Sequence, residues 1–136
     1  MNVVFISPHF PLYFHNFCSR LKIRGVNVLG IGDADYHEIS NETKVSLSEY
    51  YRVNDLENYD EVYKAVAYFI SKYGRIDFIE SQNEYWLELE ATLRNEFNVT
   101  TGPKIQDMAS IKYKSKMKDV YAKAGIPTAR YRLVDD

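Results

Sequence analysis

"VVFISPHFPLYFHNFCSRLKIRGVNVLGIGD", residues 3–33, decides the fold class. Val3, Val4, Phe5 and Ile6 make a short β-branched and aromatic run closed by Ser7-Pro8, the pattern of a buried strand that ends in a loop. From Pro11 the period changes. Phe14, Phe17, Cys18 and Leu21 recur at helical spacing, and Gly25 follows as a stop. Residues 26–31 are again strand-like and end in Gly-Asp. Strand, helix and strand in this order form a βαβ unit, with a right-handed crossover and parallel strands expected.

Working outward, residues 33–48 are polar and weakly periodic, with room for one short helix but no firm assignment. Residues 50–53 read as a third strand. Asn58 and Glu61 stand in capping-box spacing before a helix whose apolar face is Val62, Val66, Phe69, Ile70 and Tyr73, with Gly74 as its stop. Residues 76–79 read as a fourth strand running into the polar loop Glu80-Ser81-Gln82-Asn83. A helix over 84–97 follows, with Trp86, Leu89, Leu93 and Phe97 on one face, and then NVTTGP as a fifth strand and turn. This alternation predicts an α/β fold: a Rossmann-like parallel sheet with helices on both faces. After Gly102-Pro103 the composition changes. A lysine-rich helix over 110–124 is stopped by Gly125 and Pro127, and residues 128–134 alternate like a half-exposed strand.

Composition removes several function classes. The chain has 136 residues, 46% apolar and 26% charged, with a formal net charge of -2. That suits one cored domain and argues against a strongly basic nucleic-acid surface. No stretch approaches the roughly 20 apolar residues of a membrane span, and no basic segment precedes the first apolar run, so a cytoplasmic location is expected. The single cysteine, Cys18, has no disulfide or CxxC partner and is read as helix packing.

In open parallel sheets, ligands bind beyond the carboxyl ends of the strands. The rule selects the loops at residues 7–10, at 30–33, around Asp55 and at 80–84. "SPHFPLYF" lacks the glycines that let a backbone approach a pyrophosphate, which disfavours tightly bound NAD, and Gly30 and Gly32 read as a tight turn. An acidic pair after the first strand is missing, which excludes a phosphoacceptor receiver domain. The substrate-side candidates are Ser7, Pro8, His9, Asp33, Gln82, Asn83 and Glu84, with Asn83 equally suited to capping the next helix. No catalytic residue and no metal ligand is assigned. On a continuous helix, Lys112, Lys116 and Lys123 face away from Tyr113, Met117, Val120 and Ala124. Lys114 falls at the edge of that apolar stripe, where it either snorkels or holds an anion.

"KSKMKDVYAKAGIPTARYRLV", residues 114–134, resembles the entry segment of the ATP-grasp fold: a lysine, a helix, then a Gly-[Ile/Val]-Pro turn into a strand. The spacing of Lys114 to Gly125 matches biotin carboxylase-like members, and the upstream units look like the pre-ATP-grasp domain that those enzymes share with carbamoyl-phosphate synthetase. Where members often carry Asp before that lysine, this chain has Tyr113. The resemblance implies a pre-ATP-grasp domain over 1–102 and a linker helix with the start of an ATP-grasp lobe over 103–136. It implies an ATP-dependent ligase that makes an acyl phosphate from a carboxylate, with Lys114 on ATP phosphate. ATP and Mg²⁺ would belong to the intact protein, with none bound and no ligase activity in this segment alone. The implied partners are a carboxylate or amine substrate and the remaining lobes of the same chain. A homodimer is possible on this reading, and neither nucleic acid nor membrane is expected. The competing expectation is a stand-alone Rossmann-like binding module, which would bury residues 128–134 in its own sheet.

Overall fold

The computed structural model describes residues 1–134. Four strands, β1 (Asn2–Ile6), β2 (Asn27–Gly32), β3 (Glu49–Arg52) and β4 (Phe78–Glu80), form one sheet in the order β3-β2-β1-β4, and every pairing is parallel. The helices are α1 (His15–Ile23), α2 (Asn41–Ser46), α3 (Tyr59–Tyr73), α4 (Leu87–Glu96), α5 (Met108–Lys112) and α6 (Lys114–Lys123). The Rossmann-like α/β expectation is met.

Alternation along the strands sorts the core into two layers. Val4 and Ile6 of β1, Leu29 and Ile31 of β2 and Ile79 of β4 pack with Val62, Ala65, Val66 and Phe69 of α3 and Leu93 of α4. On the other face Phe5 and Val28 pack with Phe14, Cys18 and Leu47. Cys18 is therefore a packing residue, and burial raises its thiol pKa to about 12. The α3 helix starts as its sequence promises, with Asn58 Oδ1 accepting from Glu61 N, and ends at Gly74 with φ of 87°. Burying Phe69 completely contributes about 3 kcal/mol. The second face is only partly covered. Beside α1 the sheet surface of β1 and β4 lies open as a groove of about 710 Å³, with Val3, Phe5 and Phe78 against Phe17 and Leu21.

The short helix for which residues 33–48 had room is present, and four other expectations are corrected, those for residues 84–97, for the fifth strand, for the lysine-rich helix and for the strand over 128–134. Residues 33–48 hold a 3₁₀ turn, Tyr36–Glu38, and the short α2, which starts where Ser40 Oγ accepts from Thr43 N. The expected helix over 84–97 begins as a 3₁₀ turn, Glu84–Trp86, and becomes α-helical only at Leu87. The fifth strand does not form. In its place side chains bond carbonyls at β4 and just before it: Thr101 Oγ1 donates to Asp77 O, and Arg94 Nη2 donates to Ile79 O at 2.6 Å. Finally, the lysine-rich helix is two helices. Tyr113, with φ of -91° and ψ of 116°, leaves the helical region and ends α5 before α6 begins. Residues 128–134 are exposed and join no strand of the sheet.

Candidate functional site

The strand order sets the place of the site. The chain steps outward from β1 through β2 to β3 and then returns to β4 on the other side of β1, so its direction reverses between β1 and β4. Loops leaving these two strands diverge, and a crevice opens between them. Here a cleft of about 410 Å³ is lined by Ser7, His9, Phe10, Asp33, Leu56, Asn83, Tyr85 and Trp86. All four strand-end loops contribute. Two residues without a glycine's freedom take the left-handed backbone at the crevice, Ser7 with φ of 56° after β1 and Gln82 with φ of 59° after β4.

Each loop is pinned by its own hydrogen bonds. Ser7 N continues the ladder by donating to Ile31 O at 2.8 Å, and Ser7 Oγ donates to Phe10 O at 3.1 Å. After β4, buried Ser81 Oγ accepts from Asn83 N at 3.1 Å, and Asn83 Oδ1 accepts from Tyr85 N at 3.0 Å. Asn83 thus caps the following turn and lines the cleft at once. The hydroxyl of Tyr85 donates to the carboxylate of Glu57, the residue after Leu56.

His9 is the best-defined polar group in the cleft. Its Nε2 lies 3.1 Å from Asp33 Oδ1, while its Nδ1 is buried with no hydrogen-bond partner. The Nε2–H tautomer accounts for both facts, because it donates to Asp33 and leaves Nδ1 without a proton to place. Burial lowers the His9 pKa, and the neighbouring Asp33 carboxylate only partly opposes that shift. The imidazole is therefore neutral at pH 7.

Gly32 lies against His9 of this site and Gly30 two residues before it, and neither is in a turn. Both lie within β2 and permit close approach from one face. A Cβ on Gly30 would meet Leu47 at 2.9 Å and Pro8 at 3.1 Å. On Gly32 it would lie 2.5 Å from the Tyr50 hydroxyl and 2.8 Å from His9 Nδ1. The Tyr50 hydroxyl is itself fixed, donating to Ala34 O at 2.6 Å, and burial raises its pKa to about 12. Gly32→Ala is expected to displace His9 or Tyr50 and cost about 1–3 kcal/mol. Urea unfolding measures the cost, and loss of the His9 imidazole shifts by NMR marks the displaced ring.

The structure brings together Ser7, His9, Asp33 and Asn83 from the candidates. Pro8 is buried against Gly30 beneath the loop; Glu84 is exposed outside the cleft lining; Gln82 borders the apolar groove over β1 and β4. Lys114 is the first residue of α6 and lines a separate hollow of about 500 Å³ with Lys112, Tyr113, Ser115, Lys118, Tyr131 and Leu133. The break at Tyr113 places Lys112 on a different helix, so a single helical wheel cannot relate it to Lys114. Sequence reasoning missed Phe10, Leu56, Tyr85 and Trp86 as lining residues. Their signal was available: each is apolar or aromatic and lies in, or just beyond, a strand-end loop.

No family model and no curated protein matches the sequence. Among solved structures, the crystal structure of an L-amino acid ligase from Bacillus licheniformis matches with a TM-score of 0.66 and 17% identity. The match covers 93% of this chain and 31% of that one. The fold is one that an L-amino acid ligase contains. This chain spans about a third of the length of that enzyme.

Proposed function

We propose that the chain is the substrate-side segment of an ATP-dependent ligase that joins a carboxylate to an amine through an acyl phosphate. The observation that carries this reading is the fold likeness to the L-amino acid ligase over 93% of the chain. The finer kinship to biotin carboxylase and carbamoyl-phosphate synthetase rests on the Lys114 to Gly125 spacing. In this reading the cleft between β1 and β4 receives a substrate, and Lys114 contacts ATP phosphate. At the hollow beside α6, Lys114 is the lysine left for phosphate at the first helical turn, because Lys112 pairs with Glu88 and Lys118 donates to Ala129 O. Among the described residues no carboxylate lines that hollow, so Mg²⁺ would draw its ligands from outside it. When bound, ATP would supply the phosphoryl group that activates the carboxylate. A stand-alone binding module gains no support, because residues 128–134 stay outside the sheet that such a module would use to bury them.

The test uses the product of the whole native reading frame. Release of ADP that depends on both a carboxylate and an amine substrate is the expected result. One charge-assisted contact is worth about 1.5–3 kcal/mol, so Lys114→Ala is expected to weaken ATP binding by about 10- to 150-fold. The isolated 136-residue chain is expected to bind Mg-ATP no better than millimolar, because one such contact is all it offers. Absence of ADP release across amino-acid pairs, or micromolar ATP affinity in the isolated chain, would count against the reading.

A further inference from the structure

The proposed function leaves open whether the cleft between β1 and β4 takes the carboxylate or the amine, and the cleft's own charges bear on that choice. Among the described residues lining it, Asp33 carries the only carboxylate, and no lysine or arginine is present. His9 touches Asp33 but is neutral at pH 7, so the negative charge is not cancelled there. A second carboxylate lies beside the lining, where Glu57, next to Leu56, is held by the Tyr85 hydroxyl. The nearby cation is committed elsewhere: Arg52 Nε lies 2.7 Å from Asp35, and its Nη1 donates to Asn54. A carboxylate entering this cleft would find like charge and no cation.

The walls suit the opposite charge. Phe10 and Tyr85 line the cleft with rings that are 65% and 62% exposed, and Trp86 borders the same space. Aromatic faces attract ammonium and guanidinium groups through the ring quadrupole. Asn83 Oδ1 is spent on Tyr85 N, and Ser7 Oγ already donates to Phe10 O, which leaves Asp33 as the principal anchor for an entering donor.

We propose that this cleft binds the amine-bearing partner as its ammonium ion, with Asp33 as counter-ion and Phe10, Tyr85 and Trp86 as the enclosing faces. The role of that partner as a ligase substrate rests on the reading above; the binding itself does not.

Trp86 is the single tryptophan of the sequence, so its emission reports directly on the cleft. Phenethylamine and phenylacetate, similar in size and opposite in charge, are titrated against the protein without nucleotide. Saturable change in Trp86 emission with phenethylamine is expected, at an affinity at least about tenfold tighter than for phenylacetate. Asp33→Asn is expected to reduce that preference to about threefold or less while leaving the urea midpoint unchanged, since this side chain is 43% exposed. Equal or tighter binding of phenylacetate, no saturable signal from either probe, or an undiminished preference in Asp33→Asn would each overturn the proposal. Failure of the ligase reading shows separately, as absent ADP release in a protein that still binds phenethylamine.

Discussion

Arg94→Ala is expected to destabilise the chain by about 3–5 kcal/mol, the cost of stranding a buried charge and leaving carbonyls unbonded. Arg94 is 2% exposed and is held on several sides. Its Nη2 donates to Ile79 O at 2.6 Å and lies 3.2 Å from Glu90 and 3.3 Å from Glu80, while Nη1 donates to Pro103 O at 3.1 Å. Gly102, with φ of 78°, passes so close that a Cβ there would lie 2.9 Å from Arg94 Nε. One guanidinium thus ties α4, β4 and the segment leading to α5. A lysine has one nitrogen and no planar fork, so Arg94→Lys should recover only a minor part of the loss. Urea unfolding followed by far-ultraviolet circular dichroism measures both, and a loss below about 1 kcal/mol for Arg94→Ala would show the network to be dispensable.

The second large effect is a pH dependence centred on Glu90. This carboxyl is 2% exposed, and burial raises its pKa from 4.5 to about 7, against the lowering influence of Ser81 and Arg94. Between those two values the folded state holds a proton that the unfolded state has released. Stability therefore falls as pH rises through that window, by at most about 3 kcal/mol, and is greatest below the unfolded-state value as far as this group is concerned. His9 acts in the opposite sense. Its folded pKa lies below 6.5, so its contribution is lost as pH falls through that region. The difference between the parent chain and Glu90→Gln isolates the Glu90 part, because glutamine keeps the shape and does not titrate. Unfolding midpoints at about pH 5 and about pH 8 should diverge in the parent and converge in Glu90→Gln, apart from the His9 contribution. Parallel profiles in the two proteins would mean that Glu90 keeps its charge throughout.

The two inner strands, β1 and β2, were legible because strands in the middle of a parallel sheet are covered on both faces, so Val3 to Ile6 and Val28 to Ile31 are nearly continuous apolar runs. The site was legible in part because strand ends are where such sheets bind, a rule that needs only the strands. Glu90 and Arg94 were not. At i and i+4 on a helix they look like a solvated pair, and only the presence of β4 beside them turns the pair inward. The same tertiary fact defeats the fifth strand: NVTTGP has the right composition, yet Arg94 already serves Ile79 O of β4 and Thr101 serves Asp77 O just before it. The break at Tyr113 has neither glycine nor proline to announce it. Lys112 and the Tyr113 hydroxyl both reach Glu88 of α4, at 3.4 Å each, and these contacts fasten α5 to α4.

The closure of β4 has a bearing on how molecules of this protein meet. An outer strand with free amides and carbonyls is a template on which a strand from another molecule can add, and chains that leave one bare risk indefinite growth into fibres. Here the acceptors at Asp77 and Ile79 are taken by a hydroxyl and an arginine from the same molecule. A foreign strand would have to expel a buried cation to reach them. Removing that arginine would therefore free the Ile79 acceptor on this edge as well as loosen the fold.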